Sequence, residues 1–175
     1  MIIIKWVGRN ENIKNKAILL VLILIGTLFL AGCTSEDVSA VKWNNRGIAL
    51  SQQEKYNEAI ECFDKAITAD PDYKLAWYNK GAALREDGRY PEAVEAYNKA
   101  IELDPNFAEA WFWKGVAFVF QGKYSEALIC YDRAIEINPN FAQAWSGKGT
   151  VLGWLGRHKE SQECFDMAKQ LGYNG

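Results

Sequence analysis

From residue 40 onward, apolar positions recur in the rhythm of helices with one buried stripe, which predicts an all-α domain. The stretches come in pairs, for example Leu75 to Glu86 followed by Pro91 to Leu103. Between those two lies Asp87-Gly88-Arg89-Tyr90, where Gly88 suits the left-handed conformation that ends a helix. Pro91 then fits the first turn of the next helix, where its missing donor costs nothing. Gly122 and Gly156 occupy the corresponding place further on, and Glu54 stands there in the first pair. Asp104-Pro105-Asn106 and Asn138-Pro139-Asn140 stop the second helix of a pair and lead into the next pair.

The pairs repeat with a fixed period. Trp43, Trp77, Trp111 and Trp145 are evenly spaced, and each is followed at the same distance by Gly47, Gly81, Gly115 or Gly149. Ala59, Ala93 and Ala127 recur in register with Ser161 in the last copy, as do Phe63, Tyr97, Tyr131 and Phe165. Ala66, Ala100, Ala134 and Ala168 follow, and Pro71, Pro105 and Pro139 close the first three copies. This Trp-Gly-Ala-Phe/Tyr-Ala-Pro pattern resembles the tetratricopeptide repeat. The resemblance implies a right-handed α-solenoid of four helix-turn-helix hairpins, about eight helices, assigned to 40–73, 74–107, 108–141 and 142–175. In the fourth, degenerate copy His158 replaces a tyrosine at a position expected to pack the hairpin turn. Without a further helix, the array is expected to end on a partly apolar face.

The residues before the repeats read differently. Ala17 to Leu30 is uncharged and apolar, preceded by Lys14 and Lys16 and followed by Ala31-Gly32-Cys33. A helix from Ala17 to Gly32 would rise about 24 Å, short of the roughly 30 Å hydrocarbon core, which favours a signal peptide (1–32) over a span. Leu30-Ala31-Gly32-Cys33 resembles the lipobox of prokaryotic lipoproteins. That resemblance implies cleavage before Cys33, a diacylglycerol anchor on its thiol, and display on the extracytoplasmic face of the membrane. The alternative is an uncleaved signal anchor, single-pass, with the repeats outside. In either case residues 33–39 form a tether, whose six residues after Cys33 reach at most about 20 Å.

Composition narrows the chemistry. The chain has a net charge of −2, yet its N-terminal leader is basic, so the repeat region is the acidic part. An acidic body lacks the face that phosphate binding needs, which excludes nucleic acid as the expected partner. There is a single histidine, no nucleophile with a second partner, and no glycine-rich phosphate loop, so no enzyme, catalytic residue, metal or cofactor is expected. Cys62, Cys130 and Cys164 share one repeat position. Neighbouring helices pack about 9–10 Å apart, too far for a disulfide or a shared metal, so buried thiols are expected.

The expected function is protein binding. In the family it resembles, the first helix of each hairpin lines a concave groove that holds peptides. Carried onto this chain, the groove residues are Tyr78, Asn79, Phe112, Trp113, Val116, Val119, Phe120 and Trp154. Phe112, Val116, Val119 and Phe120 form one apolar stripe on a helix that is apolar nearly all round, expected as a partner surface. Arg46, Lys80, Lys114 and Lys148 repeat three residues after each Trp and read either as a basic ladder or as stems packed beside the helix. The clamp for acidic tails known in this family has its basic positions taken here by Glu109 and Trp113. The expected partner is therefore a protein or peptide, with the membrane through the anchor. The alternative is a second copy of the chain, joined through the apolar stripe or the open fourth repeat.

Overall fold

The computed structural model describes residues 39–173; the leader, Cys33 and nearly all of the tether lie outside the described residues. The described part forms one compact unit of eight helices in consecutive hairpin pairs. These are α1 (Ala40–Ser51) with α2 (Tyr56–Ala69), α3 (Lys74–Glu86) with α4 (Tyr90–Leu103), α5 (Ala108–Phe120) with α6 (Tyr124–Ile137), and α7 (Ala142–Trp154) with α8 (His158–Gln170). Among the described residues there is no strand, and no helix is long and apolar enough to cross a membrane.

Each hairpin closes on one ring against one glycine. Rings of the second helix lie flat on a glycine of the first: Phe63 on Gly47, Tyr97 on Gly81, Tyr131 on Gly115 and Phe165 on Gly149. A Cβ added at Gly81 would sit 2.8 Å from the Tyr97 ring, closer than atoms approach, and Tyr97 is fully buried with nowhere to move. Small alanines, among them Ala59, Ala93 and Ala127, fill the rest of the seam with no exposure at all. In the last copy Ser161 replaces alanine, and its hydroxyl donates to the Gly149 carbonyl at 2.7 Å, so the buried oxygen is satisfied.

The turns follow the same economy. Gly88, Gly122 and Gly156 have φ of 78°, 72° and 74°, and Glu54 holds the equivalent place at φ 60°. Just before each second helix, the amides of Lys55, Arg89, Lys123 and Arg157 donate back to the Leu50, Leu84, Phe118 and Leu152 carbonyls, sealing the first helix's end. Between hairpins, Asp70, Asp104 and Asn138 side chains accept from the amides two residues on. The conserved-period tryptophans then lock unit to unit, since the indole N–H of Trp77, Trp111 and Trp145 donates to the carbonyl of Pro71, Pro105 and Pro139 at 2.9–3.1 Å.

The first helices touch along the row, α1 with α3, α3 with α5 and α5 with α7, whereas α2, α4, α6 and α8 do not approach one another. The first helices therefore form the inner side of a curved array. Cys62, Cys130 and Cys164 are buried free thiols, and burial raises the Cys130 thiol to about 11.

Two expectations about the last hairpin change. His158 is exposed at the start of α8 and packs no turn. The end face is less apolar than expected. Where α2 and α4 present Ile60 and Val94, α8 presents exposed Gln162, and where they present Ile67 and Ile101 it presents exposed Lys169. Phe165, 39% exposed where Phe63 is 1%, is the ring left half open. At the other end, exposed Lys42 stands where α3, α5 and α7 bury Ala76, Ala110 and Ala144.

Two stability outcomes follow. Glu54→Gly relieves a left-handed backbone that glycine adopts freely and raises stability by roughly 1 kcal/mol in urea unfolding. Gly81→Ala forces the Tyr97 ring out of its seat and lowers it by roughly 1–3 kcal/mol in the same measurement; an unchanged midpoint would show that the seam yields.

Candidate peptide-binding groove

The inner row positions the candidate site. Its positions follow from helix geometry: the residue two after each Trp lies nearly opposite the seam glycine, and those one and five after it lie on the flanks between the two. At its first end the groove is polar. Asn79 donates to Asn44 at 2.9 Å, and Asn44 is 3% exposed, so this pair ties α3 to α1 and is partly spent on structure. Toward the other end it becomes aromatic.

Phe112 requires a correction. Expected as the first residue of an exposed stripe, it is 9% exposed and belongs to a core cluster with Tyr131, Ala144 and Val151. The reason is packing on three sides: its ring centroid lies 4.8 Å from Trp113, 5.7 Å from Tyr131 and 5.0 Å from Phe141. Val116 and Val119 are half-buried against the same cluster. Only the far end of the stripe is open. Phe120 is 60% exposed and stacks on Tyr90 with rings 4.7 Å apart and nearly parallel. One repeat later Trp154, 58% exposed, leans on Tyr124 at 5.5 Å. These two pairs occupy equivalent places, so they line one edge of the array at its hairpin turns.

Tyr78 lies half-buried between Tyr97 and Phe107, at 5.9 and 4.9 Å. Burial first, then Glu109, raises its hydroxyl above the ordinary tyrosine range, with Trp113 and Arg85 opposing. Trp113 has the Arg85 guanidinium 4.1 Å from its ring centre, and Arg85 is paired to Glu86 at 2.5 Å. Between α5 and α7 the inner face opens into a cleft of about 620 Å³. Phe112, Trp113, Tyr131, Phe141 and Tyr173 supply its aromatic wall, and Glu109, Gln143, Ser146 and Thr150 its polar one. Gly147 stands in this wall where Trp113 and Asn79 stand in earlier copies, and the Tyr131 ring closes on it; a Cβ there would meet that ring at 3.1 Å. A second, smaller cleft of about 310 Å³ lies between α1 and α3, with Asn79, Ser51 and Gln52 on its walls.

The four basic residues are placed elsewhere. Lys80 pairs with Asp64 and Lys148 with Asp132, each at 2.6 Å, while the same side chains lie over Trp77 and Trp145. Lys114 meets Asn98 instead of an acid at the equivalent position and rests on Trp111 at 4.7 Å. Arg46 lies 5.6 Å from Trp43. Lys80 and Lys148 line clefts between the two helices of a hairpin, and none of the four lines the two groove clefts. Stems packed along the helix, with the heads paired or over a ring, describe them.

Several wall residues were not among the expected ones. Phe141 stands four residues before Trp145, as Tyr73 and Phe107 stand before Trp77 and Trp111, a periodic signal visible in the sequence. Tyr173 and Gln143 carried no such signal, since only the closure of the last hairpin brings Tyr173 to α7.

Comparison with known proteins places this architecture. No curated protein matches the chain. Among solved structures, a crystal structure of MamA superposes with a TM-score of 0.74 at 23% identity, covering 78% of this chain and 80% of that one. MamA 41-end from Desulfovibrio magneticus RS-1 gives 0.72 at 24%, covering 78% and 77%. The first TPR of Spaghetti (RPAP3) bound to the HSP90 peptide SRMEEVD gives 0.66 at 27%, covering 67% and 94%. The MamA likenesses bear on the fold alone. Residues 44–106 and 108–141 match two family models, each described as tetratricopeptide repeat and together spanning more than half of the sequence. With the glycine–ring seams and the tryptophan–proline links recurring in the same register, the chain belongs to the tetratricopeptide-repeat family.

Proposed function

We propose that this protein is a membrane-tethered interaction scaffold that holds a partner peptide or helix along the inner face of its repeats, on the extracytoplasmic side of the membrane. The tetratricopeptide fold supports a protein–protein interaction scaffold, and one solved relative of the fold is described as bound to a peptide. The observation that carries the reading here is the aromatic cleft between α5 and α7 with the open rings Phe120 and Trp154 along the same array. Exposed rings of this size are what interfaces use as anchors, and burying each contributes on the order of 2 kcal/mol.

The tether rests on the leader sequence: Lys14 and Lys16, the uncharged run from Ala17 to Leu30, and Leu30-Ala31-Gly32-Cys33. A diacyl anchor on Cys33 supplies two chains, enough for stable attachment where one is marginal. With so short a tether the repeats sit close to the bilayer, within reach of partners in or on the same membrane.

Affinity capture from solubilised membranes tests the groove. Phe120→Asp with Trp154→Asp removes two solvent-exposed anchors without touching the core, so circular dichroism stays that of the parent while the captured partner falls by tenfold or more. Equal capture by parent and variant moves the site off this edge. Intact mass of the membrane-extracted protein tests the anchor: a chain beginning at Cys33 with added acyl mass is expected, and a chain beginning at Met1 rules the lipoprotein out.

A further inference from the structure

We infer that the cleft between α5 and α7 selects a partner segment carrying a cationic side chain, lysine or arginine, set between apolar neighbours. The inference rests on the groove reading above and specifies its chemistry. Three observations carry it.

The first is the wall. Trp113, Phe141 and Tyr173 border the cleft, and Phe112 and Tyr131 form its floor. Aromatic rings lining one hollow offer π faces on which an entering cation can rest and a carboxylate cannot. Gly147 stands in this wall where earlier copies carry Trp113 and Asn79, so this set of lining residues belongs to this repeat and does not recur along the array.

The second is charge. Glu109 stands on the rim, exposed, and no described basic side chain pairs with it. Arg85, the cation that meets this cleft's Trp113, is already engaged by Glu86 and by that ring. The remaining rim groups, Gln143, Ser146 and Thr150, are neutral. The cleft as a whole therefore carries one uncompensated negative charge beside an aromatic hollow. A carboxylate-bearing tail would meet both the ring faces and Glu109 with the wrong sign.

The third is precedent within the molecule. Arg85 lies on Trp113, and Lys65, Lys80, Lys114 and Lys148 lie over Trp43, Trp77, Trp111 and Trp145 at 4.5–5.8 Å. This chain repeatedly places cations on indole rings wherever its own sequence supplies them. In the α5–α7 cleft Arg85 covers one side of Trp113, but no described cation lies over Tyr131, Phe141 or Tyr173, and that one is left for the partner to supply.

The test uses a random heptapeptide phage library panned on the full chain in detergent micelles, followed by fluorescence anisotropy with the enriched peptides. Enriched sequences are expected to share a lysine or arginine beside an apolar residue. Replacing that residue by norleucine is expected to weaken binding roughly three- to thirtyfold. Glu109→Gln should reproduce most of that loss for the cationic peptide and change the norleucine peptide little, so that the two changes are coupled. Because Glu109 is exposed, the variant keeps its helical spectrum; Gln143→Lys, which adds a competing cation at the rim, provides an independent second variant. Enrichment of acidic or purely apolar sequences overturns the cation selectivity, as does equal binding of the norleucine peptide. If such peptides still compete with Phe120→Asp/Trp154→Asp-sensitive binding, the groove reading survives alone. If nothing enriches and the mass of the chain rises with concentration, the face belongs to a second copy, and both readings fall together.

Discussion

Everything in this array depends on a ring resting on a glycine. A helix pair can close to this distance only where one partner has no side chain, and the second helix then supplies the ring that fills the gap. Phe63, Tyr97 and Tyr131 are all but fully buried in those seats. From that one closure follow the crossing of each pair, the burial of the alanines beside it, and the direction in which the remaining face of the first helix points. The groove is thus a by-product of the seam: what does not face the glycine side is presented inward.

The second tier of order is the link between pairs. An indole N–H to a proline carbonyl fixes each first helix against the loop that precedes it, in three successive copies. The bond joins a position just before the helix to one inside it, and so adds a local restraint on the angle between units to the packing of each hairpin on the next. Repeat arrays are stabilised by neighbour terms of this kind. The polar residues at both ends, Lys42 on α1 and Gln162 and Lys169 on α8, show where stacking is not continued within the described residues.

The seam, the turns and the tryptophan register were legible in the sequence, since each is a residue type demanded at a fixed spacing by backbone geometry. Even Glu54 stood out as the place where glycine was missing, and its φ of 60° shows the backbone kept its path. The groove was less legible. Phe112 and Phe120 look alike in a helical projection, but one has a helix on either side of it and the other lies past the point where the next hairpin turns away. Periodicity reports which face a residue is on and says nothing of how far the neighbouring unit extends over that face. The cleft itself is lined by Gly147, against which the Tyr131 ring closes, and by Tyr173, which arrives by tertiary closure.

The asymmetry between the two rows of helices has a mechanical consequence. The inner helices touch one another, whereas the outer ones touch only the inner row, so no outer helix braces directly against the next outer helix when the curvature changes. The three inner junctions and the seats of α2, α4 and α6 on the next hairpin share that motion, each sliding a little. The array therefore behaves as a leaf spring whose softest coordinate is the width of its own inner face, and a segment lying there sets the span at which the spring comes to rest.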